Sequence, residues 1–369
     1  MKVAIVCCFD TFTERQECLR AVFQRRGDVV TVFQSDFSHR TKTYRTGLPE
    51  DDRIVHALPY EKNLSTARLR SHMRFAKDVL RALEGEHWDL IWVILAPNSL
   101  AKRCAQYRRR HPETRLVIDV NDLWPESLPM GGLKKLPPMA YWRDLRDKAL
   151  PAADAVVAEC RLFRDRLGYQ AENCPVLYYC KRELTLRPVP MHPVTDAISL
   201  CYLGSVNNII DLDTMERIVG MLAQRFRVTL HLIADGEKLG ELVERTRRAG
   251  AEVVDHGALY DAAQKQAVLD QCQLGLNIMK PTVCVGLTMK SIDYLEAGLP
   301  LLNNIPGDTW DLIRERGIGL NWDDSSGAAQ LDGFGFAAAA RNARAFFEEK
   351  LTFETFAQGV ENVVEKLER

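Results

Sequence analysis

The sequence predicts an α/β protein of two Rossmann-like domains, on three observations. The first is length, because 369 residues exceed one ordinary hydrophobic core and suit two. The second is that short apolar runs alternate with helix-patterned stretches from the start of the chain, beginning with a strand over Lys2 to Cys8. The third is a fresh start of the same alternation at Ile198, after a proline-rich, basic stretch without periodicity from Lys181 to Val194. Domain limits of 1–185 and 195–335 follow, with two closing helices over 336–369.

Within the first domain, a loop and helix over Thr11 to Arg26 lead to a second strand at Val29 to Phe33. That opening lacks the Gly-x-Gly-x-x-Gly of a dinucleotide site. Phe9-Asp10-Thr11-Phe12-Thr13 stands where the glycines belong, which disfavours a nicotinamide or flavin enzyme. Ser35 to Pro59 reads as polar and irregular. Leu64 to Leu83 reads as a basic amphipathic helix, with Leu69, Met73, Ala76, Leu80 and Leu83 as the apolar stripe and Arg70, Arg74, Lys77 and Arg81 beside it. A strand at Leu90 to Leu95, a turn and cap at Pro97-Asn98-Ser99, and a second basic helix with Lys102, Arg103, Arg108, Arg109 and Arg110 follow. The strand Leu116 to Val120 ends in Asn121-Asp122-Leu123-Trp124-Pro125-Glu126, where amide, acid, aromatic and proline meet just past a buried strand. Such a loop is either a site wall or a cover for the core. Ala153 to Glu159, a helix from Phe163 and a last strand at Val176 to Tyr179 complete the first sheet.

The second domain opens with Ile198 to Leu203 and Gly204-Ser205, and a glycine at the carboxyl end of a first strand lets a ligand approach the backbone. Val228 to Ile233 runs into Ala234-Asp235-Gly236-Glu237, and Val253 to Leu259 is a further strand and loop. After Pro306-Gly307-Asp308-Thr309 comes another helix, and Phe336 to Leu367 holds two more, the second capped by Thr352.

The most informative stretch runs from Cys272 to Ile305. Apolar runs at Leu274 to Met279 and Leu299 to Ile305 flank helical spacing from about Thr288 to Ala297, which reads strand, loop, helix, strand. Thr288 is placed to cap the first turn, Gly298 suits the left-handed position after the last, and Pro300 prevents continuation. Lys290 and Asp293 share one face near the helix start. A helix start after a parallel strand presents free N–H groups at the carboxyl ends of the strands, where phosphate binds readily. There Lys290 adds a charge for a diphosphate, and Asp293 an acceptor for two ribose hydroxyls. The same spacing is also that of an ordinary surface ion pair, and spacing alone does not choose between them.

An apolar fraction of 46% and a charged fraction of 27% are those of a soluble globular protein. No run reaches the length of a membrane span and the first residues lack a signal-peptide layout, so a cytoplasmic location is expected. The ten cysteines, among them Cys7, Cys8, Cys104, Cys201 and Cys272, show no paired metal spacing and read as reduced, buried thiols. The net charge of −1 conceals an asymmetry: residues 1–190 carry 32 basic against 24 acidic side chains, and the remainder 17 against 26. A basic first half suits anionic lipid headgroups or a diphosphate-bearing substrate. Nucleic acid is disfavoured, since no recognised motif is present and the basic helices lack interleaved aromatics. The oligomeric state is left open.

The segment Gly286-Leu287-Thr288-Met289-Lys290-Ser291-Ile292-Asp293, continued to Gly298-Leu299-Pro300, resembles the donor-site motif of family-4, GT-B-fold glycosyltransferases. The loop from Asp122 to Ser127 is similar to one in several bacterial members that build surface polysaccharides. The resemblance implies a GT-B fold, with two domains facing across a cleft and the terminal helix crossing back to the first. It implies retaining, metal-independent transfer, without a cofactor, from a nucleoside-diphosphate sugar, while the basic first half suggests a lipid-linked saccharide acceptor at the inner face of the plasma membrane. Asp122 and Lys290 are then expected to act in catalysis. Gly204, Ser205, Gly236, Ala258, Tyr260, Lys280, Gly286, Leu287, Thr288 and Asp293 are expected at the donor, and Asn121, Trp124 and Glu126 at the acceptor. Three departures stand out: Val285 occupies the place of the family's sugar-binding Glu, Ser205 that of the Arg after the first Gly, and no basic residue before Arg217 stands for the family's Lys a few residues on. The missing charge is expected from Lys290 and Lys280. A non-catalytic GT-B partner subunit and a sugar-nucleotide epimerase remain open as alternatives.

Overall fold

The structure is a computed structural model that describes residues 1–63, 65–128, 136–182, 189 and 193–369. The chain divides into two compact units, Met1–Tyr179 with Phe353–Arg369, and Cys180–Thr352. Of the expected linker, residues 183–188 and 190–192 lie outside the described residues.

The first unit runs β1 (Lys2–Cys7), α1 (Thr13–Arg25), β2 (Val29–Ser35), β3 (Arg53–Val55), α2 (Thr66–Leu83), β4 (Leu90–Leu95), α3 (Asn98–Arg110), β5 (Arg115–Val120), α4 (Pro137–Asp147), β6 (Ala155–Ala158) and α5 (Arg161–Arg166). Its sheet is parallel, in the order β3-β2-β1-β4-β5-β6. Helices cover both faces of such a sheet, so β4 is buried along its whole length, and β1 and β5 at all but their first residues. The direction of travel reverses between β1 and β4, which opens a crevice at their carboxyl ends.

Three expectations need correction here. Ser35 to Pro59 is not wholly irregular, because β3 adds an edge strand and Phe37 bridges Tyr44. Val176 to Tyr179 is not a strand of the sheet, since Val176 makes one isolated bridge to Ala158. The buried face of α2 is turned from the expected stripe. It consists of Arg68, Ser71, His72, Phe75, Ala76, Val79, Leu80 and Leu83, while Met73 is exposed.

The second unit runs β7 (Ala197–Ser205), α6 (Leu212–Ala223), β8 (Arg227–Asp235), α7 (Leu239–Arg248), β9 (Ala251–Asp255), α8 (Ala262–Leu269), β10 (Leu274–Asn277), α9 (Met289–Ala297), β11 (Leu301–Asn303), α10 (Asp308–Arg316), β12 (Gly319–Asn321) and α11 (Phe336–Lys350). Its six strands are again parallel, in the order β12-β11-β10-β7-β8-β9, with the reversal between β7 and β10. The last helix, α12 (Phe353–Glu368), belongs to the first unit. Nine of the ten cysteine side chains are buried. Among the described residues, no helix is long and apolar enough to cross a membrane.

Candidate functional site

In the second unit the site is built on the seam between β10 and α9. Asn277, Asn303 and Asn321 stand in register at the ends of β10, β11 and β12. Asn277 donates to Asn303 Oδ1 at 2.9 Å, and Asn303 donates to Asn321 Oδ1 at 2.9 Å. The remaining oxygen of this ladder, Asn277 Oδ1, accepts the Thr288 hydroxyl at 2.9 Å. Thr288 caps α9 by accepting from the Ser291 amide at 3.2 Å, and Gly298 closes the helix at φ 70°. The helix start is thereby fixed to the strand ends. A Cβ on Gly275 would lie 2.6 Å from the Tyr294 ring, so only glycine lets α9 pack this closely on β10. The Tyr294 hydroxyl accepts from the Leu203 amide at 2.8 Å and donates to the Cys201 carbonyl at 3.2 Å, which ties the same helix to β7.

Lys290 does not pair with Asp293. Its Nζ is buried, makes no hydrogen bond among the described residues, and lies 4.2 Å from the centroid of the Tyr202 ring. Burial lowers its pKa to about 7. Tyr202 in turn donates its hydroxyl to the Ser205 carbonyl at 3.2 Å, so the amine and the Gly204-Ser205 turn share one ring between them. Asp293 is engaged elsewhere: its Oδ1 accepts from Lys181 Nζ at 2.5 Å and Lys265 Nζ at 3.2 Å.

The loops at the ends of β7 and β8 are laced together. Val206 donates to the Asp235 carbonyl at 2.7 Å and accepts from the Lys238 amide at 3.0 Å. Gly204 and Gly236 both have φ 110°, and a Cβ on Gly236 would meet the Val206 carbonyl oxygen at 2.6 Å. Ser205 is exposed. Lys280 is exposed as well, and its amide donates to the Ile209 carbonyl at 2.9 Å, which brings the loop after β10 beside the loop after β7. Gly286 and Leu287 are buried, and the Gly286 carbonyl accepts from the Thr309 hydroxyl at 2.7 Å. Val285 packs against the apolar core, where a glutamate would be costly to bury. Ala258 and Tyr260 lie in the exposed loop after β9, two strands along the sheet from β7, and Tyr260 is 81% exposed.

In the first unit, Asp122 follows β5. Burial pushes its carboxyl up, and Oδ1 accepts the Ser127 hydroxyl. Asn121 is turned back onto Asp119, donating to its carbonyl at 3.0 Å and its Oδ1 at 2.9 Å. Trp124 is buried and stacks on His72, with ring centroids 5.6 Å apart. Glu126 is clamped by Arg146 at 2.9 and 3.1 Å, and Arg146 also donates to the Trp124 carbonyl.

Around Asp122 the structure gathers a group that sequence reasoning passes over. The Arg68 guanidinium lies over the rings of Trp124 (4.5 Å), Phe9 (5.6 Å) and Tyr60 (5.9 Å). It donates to the Asn63 carbonyl and to His72 Nε2, and among the described residues no carboxylate hydrogen-bonds it. His39 bonds the Tyr60 hydroxyl at 2.7 Å, and burial with the nearby Arg68 and Lys42 charges lowers it to about 4. His72 is lowered well below its ordinary value by burial, so both imidazoles are neutral at pH 7. Asp10 accepts from the Ser38 hydroxyl and the His39 amide at 2.6 and 2.9 Å. These residues meet at the carboxyl ends of β1, β2 and β5. Only a correct register for α2 would have pointed to Arg68 and His72.

No protein-family model and no curated protein matches the sequence. Solved structures do. HepE of Anabaena, in complex with UDP, is 14% identical over 99% of this chain and 100% of its own, with a TM-score of 0.66. The lipopolysaccharide outer core galactosyltransferase WaaB is 12% identical over 100% of both chains, with a TM-score of 0.64. TarM of S. aureus, in a complex that includes UDP, is 8% identical over 98% of this chain and 99% of its own, with a TM-score of 0.63. Two parallel six-stranded sheets with interleaved helices are the arrangement this chain has in common with them, and its fold is the α/β, GT-B fold of glycosyltransferases.

Proposed function

We propose that the protein is a glycosyltransferase that moves a sugar from a nucleoside-diphosphate sugar to a saccharide acceptor. The observation that carries this reading is Lys290: a buried amine with no hydrogen-bond partner among the described residues, in the first turn of α9, which starts at the carboxyl ends of β7 and β10. UDP in HepE and TarM, proteins of the same fold, supports a nucleotide diphosphate as the ligand. In this reading the free N–H groups of α9 and the Lys290 charge stabilise the negative charge that develops on the leaving diphosphate. Glycine at 204 and 236 lets the phosphates approach backbone, and the ribose shares Asp293 with Lys181 and Lys265. Configuration is retained and no metal is required. The acceptor is a lipid-linked saccharide that meets the first unit around Asp122, in a half of the chain whose basic excess suits a diphosphate at an anionic membrane surface. The product belongs to a surface polysaccharide.

Thermal-shift screening with UDP, GDP, ADP and dTDP and their sugars tests the reading. A ligand at roughly 100 times its Kd stabilises by about 2.7 kcal/mol. Lys290→Ala lowers turnover by roughly 100-fold or more, since removal of a charge-stabilising group at a reacting centre costs that much. Undiminished turnover in this variant overturns the role given to Lys290.

A further inference from the structure

The surroundings of Lys290 carry a consequence for how the diphosphate binds, and it rests on the reading just given. A methionine or leucine would cover the Tyr202 ring without desolvating an amine, so packing does not account for lysine here. Two features oppose a resident charge. Nζ has no acceptor among the described residues, and α9 turns its positive end toward it. The ring face attracts a cation and offsets only part of this.

Among the described residues, the other titratable groups around the amine leave it no anion. On β7, burial pushes the Cys201 thiol and the Tyr202 phenol up, so both are uncharged, and Cys272 lies beside Cys201. On α9, Tyr294 is raised in the same way. Asp293 is already matched by Lys181 and by Lys265 of α8. Burial accordingly holds Lys290 at about 7.

We propose that Lys290 rests over Tyr202 as a largely neutral amine above neutral pH in the unliganded protein and takes up a proton from solvent as a diphosphate binds. The side chain swings off the ring onto the phosphate oxygens. The bond formed is Nζ–H, and the proton comes from water or buffer. The terminal phosphate, with a second pKa of about 6, is ionised above neutral pH and gives none.

Calorimetric titration at pH 7 and pH 8, in buffers of different ionisation enthalpy, uses UDP, or whichever of GDP, ADP and dTDP stabilises most. Uptake grows from about half a proton at pH 7 to nearly one at pH 8, and Kd rises by up to roughly 10-fold per pH unit above that range. Lys290→Arg, charged at every pH, removes the uptake. Binding without uptake in the wild-type protein overturns the proposal and leaves the donor reading standing. Absence of binding by all four nucleotides, or unchanged affinity in Lys290→Met, overturns both. The ligand-free protein gives a separate test, a ¹³C NMR titration of lysine Cε with the Lys290 signal assigned by its loss in Lys290→Arg. A midpoint near 7 supports the proposal. One above about 10, the ordinary lysine value, sinks it even where UDP binds.

Discussion

Arg15 of α1 and Asp119 of β5 form a two-pronged ion pair in which neither side chain reaches solvent, with Nε and Nη2 donating at 2.8 and 2.7 Å. Trp92 Nε1 and Asn121 Nδ2 donate to the same carboxylate at 3.0 and 2.9 Å, and Arg15 Nη1 reaches the Leu177 carbonyl at 2.8 Å. The pair thus anchors the loop that carries Asp122. Removing one partner strands a buried charge, so Arg15→Met or Asp119→Asn lowers stability by about 3–5 kcal/mol. The double variant Arg15→Met/Asp119→Asn strands neither charge and loses less than the two single losses together. Urea denaturation of the four proteins measures this.

Gly236→Ala strains both the backbone, at φ 110°, and the contact with the Val206 carbonyl. Overpacking against backbone costs about 1–3 kcal/mol, and relief requires the two laced loops to part. The variant folds with a lower midpoint and binds UDP more weakly than wild type, as thermal shift with and without UDP shows. An unaltered UDP shift separates this turn from the donor.

The variant Asp122→Asn is expected to move stability and turnover in opposite senses. Because burial raises the Asp122 pKa, the folded state binds the proton more tightly than the unfolded chain does. Its ionised form therefore costs stability at neutral pH, a cost relieved as pH falls through the raised value toward the unfolded one. Asp122→Asn still accepts the Ser127 hydroxyl and carries no charge. Its denaturation midpoint at pH 7 is higher than that of wild type and the gap narrows at lower pH, while turnover falls by about 10- to 100-fold if Asp122 contacts reacting sugar. Denaturation across pH together with steady-state kinetics gives both signs.

Much of the fold is legible in the sequence because parallel strands covered on both faces are written as unbroken apolar runs; Leu90–Leu95 is one. The limits of α9 are legible too, since Thr288 and Gly298 act through local backbone chemistry that needs no tertiary partner. Less local features escape. The register of α2 is hidden because Arg68 and His72 look like surface residues until Phe9, Tyr60 and Trp124, distant in sequence, supply rings to cover them. The partners of Asp293 escape for the same reason, as Lys181 and Lys265 arrive from separate segments. β3 is missed because an edge strand with two exposed residues has no apolar run to betray it.

The return of α12 makes the first unit discontinuous along the chain. Arg25 pairs with Glu354 at 2.8 Å, the Phe356 ring lies 5.3 Å from the Arg15 guanidinium, and a Cβ on Gly359 would clash with the Leu177 side chain. During synthesis, residues 1–179 wait with one flank of α1 uncovered until the whole second unit has emerged from the ribosome. Its order of assembly is therefore opposite to its order of appearance: the unit begun first is the one finished last, and a gene fragment that stops at residue 179 encodes a body without its closing piece.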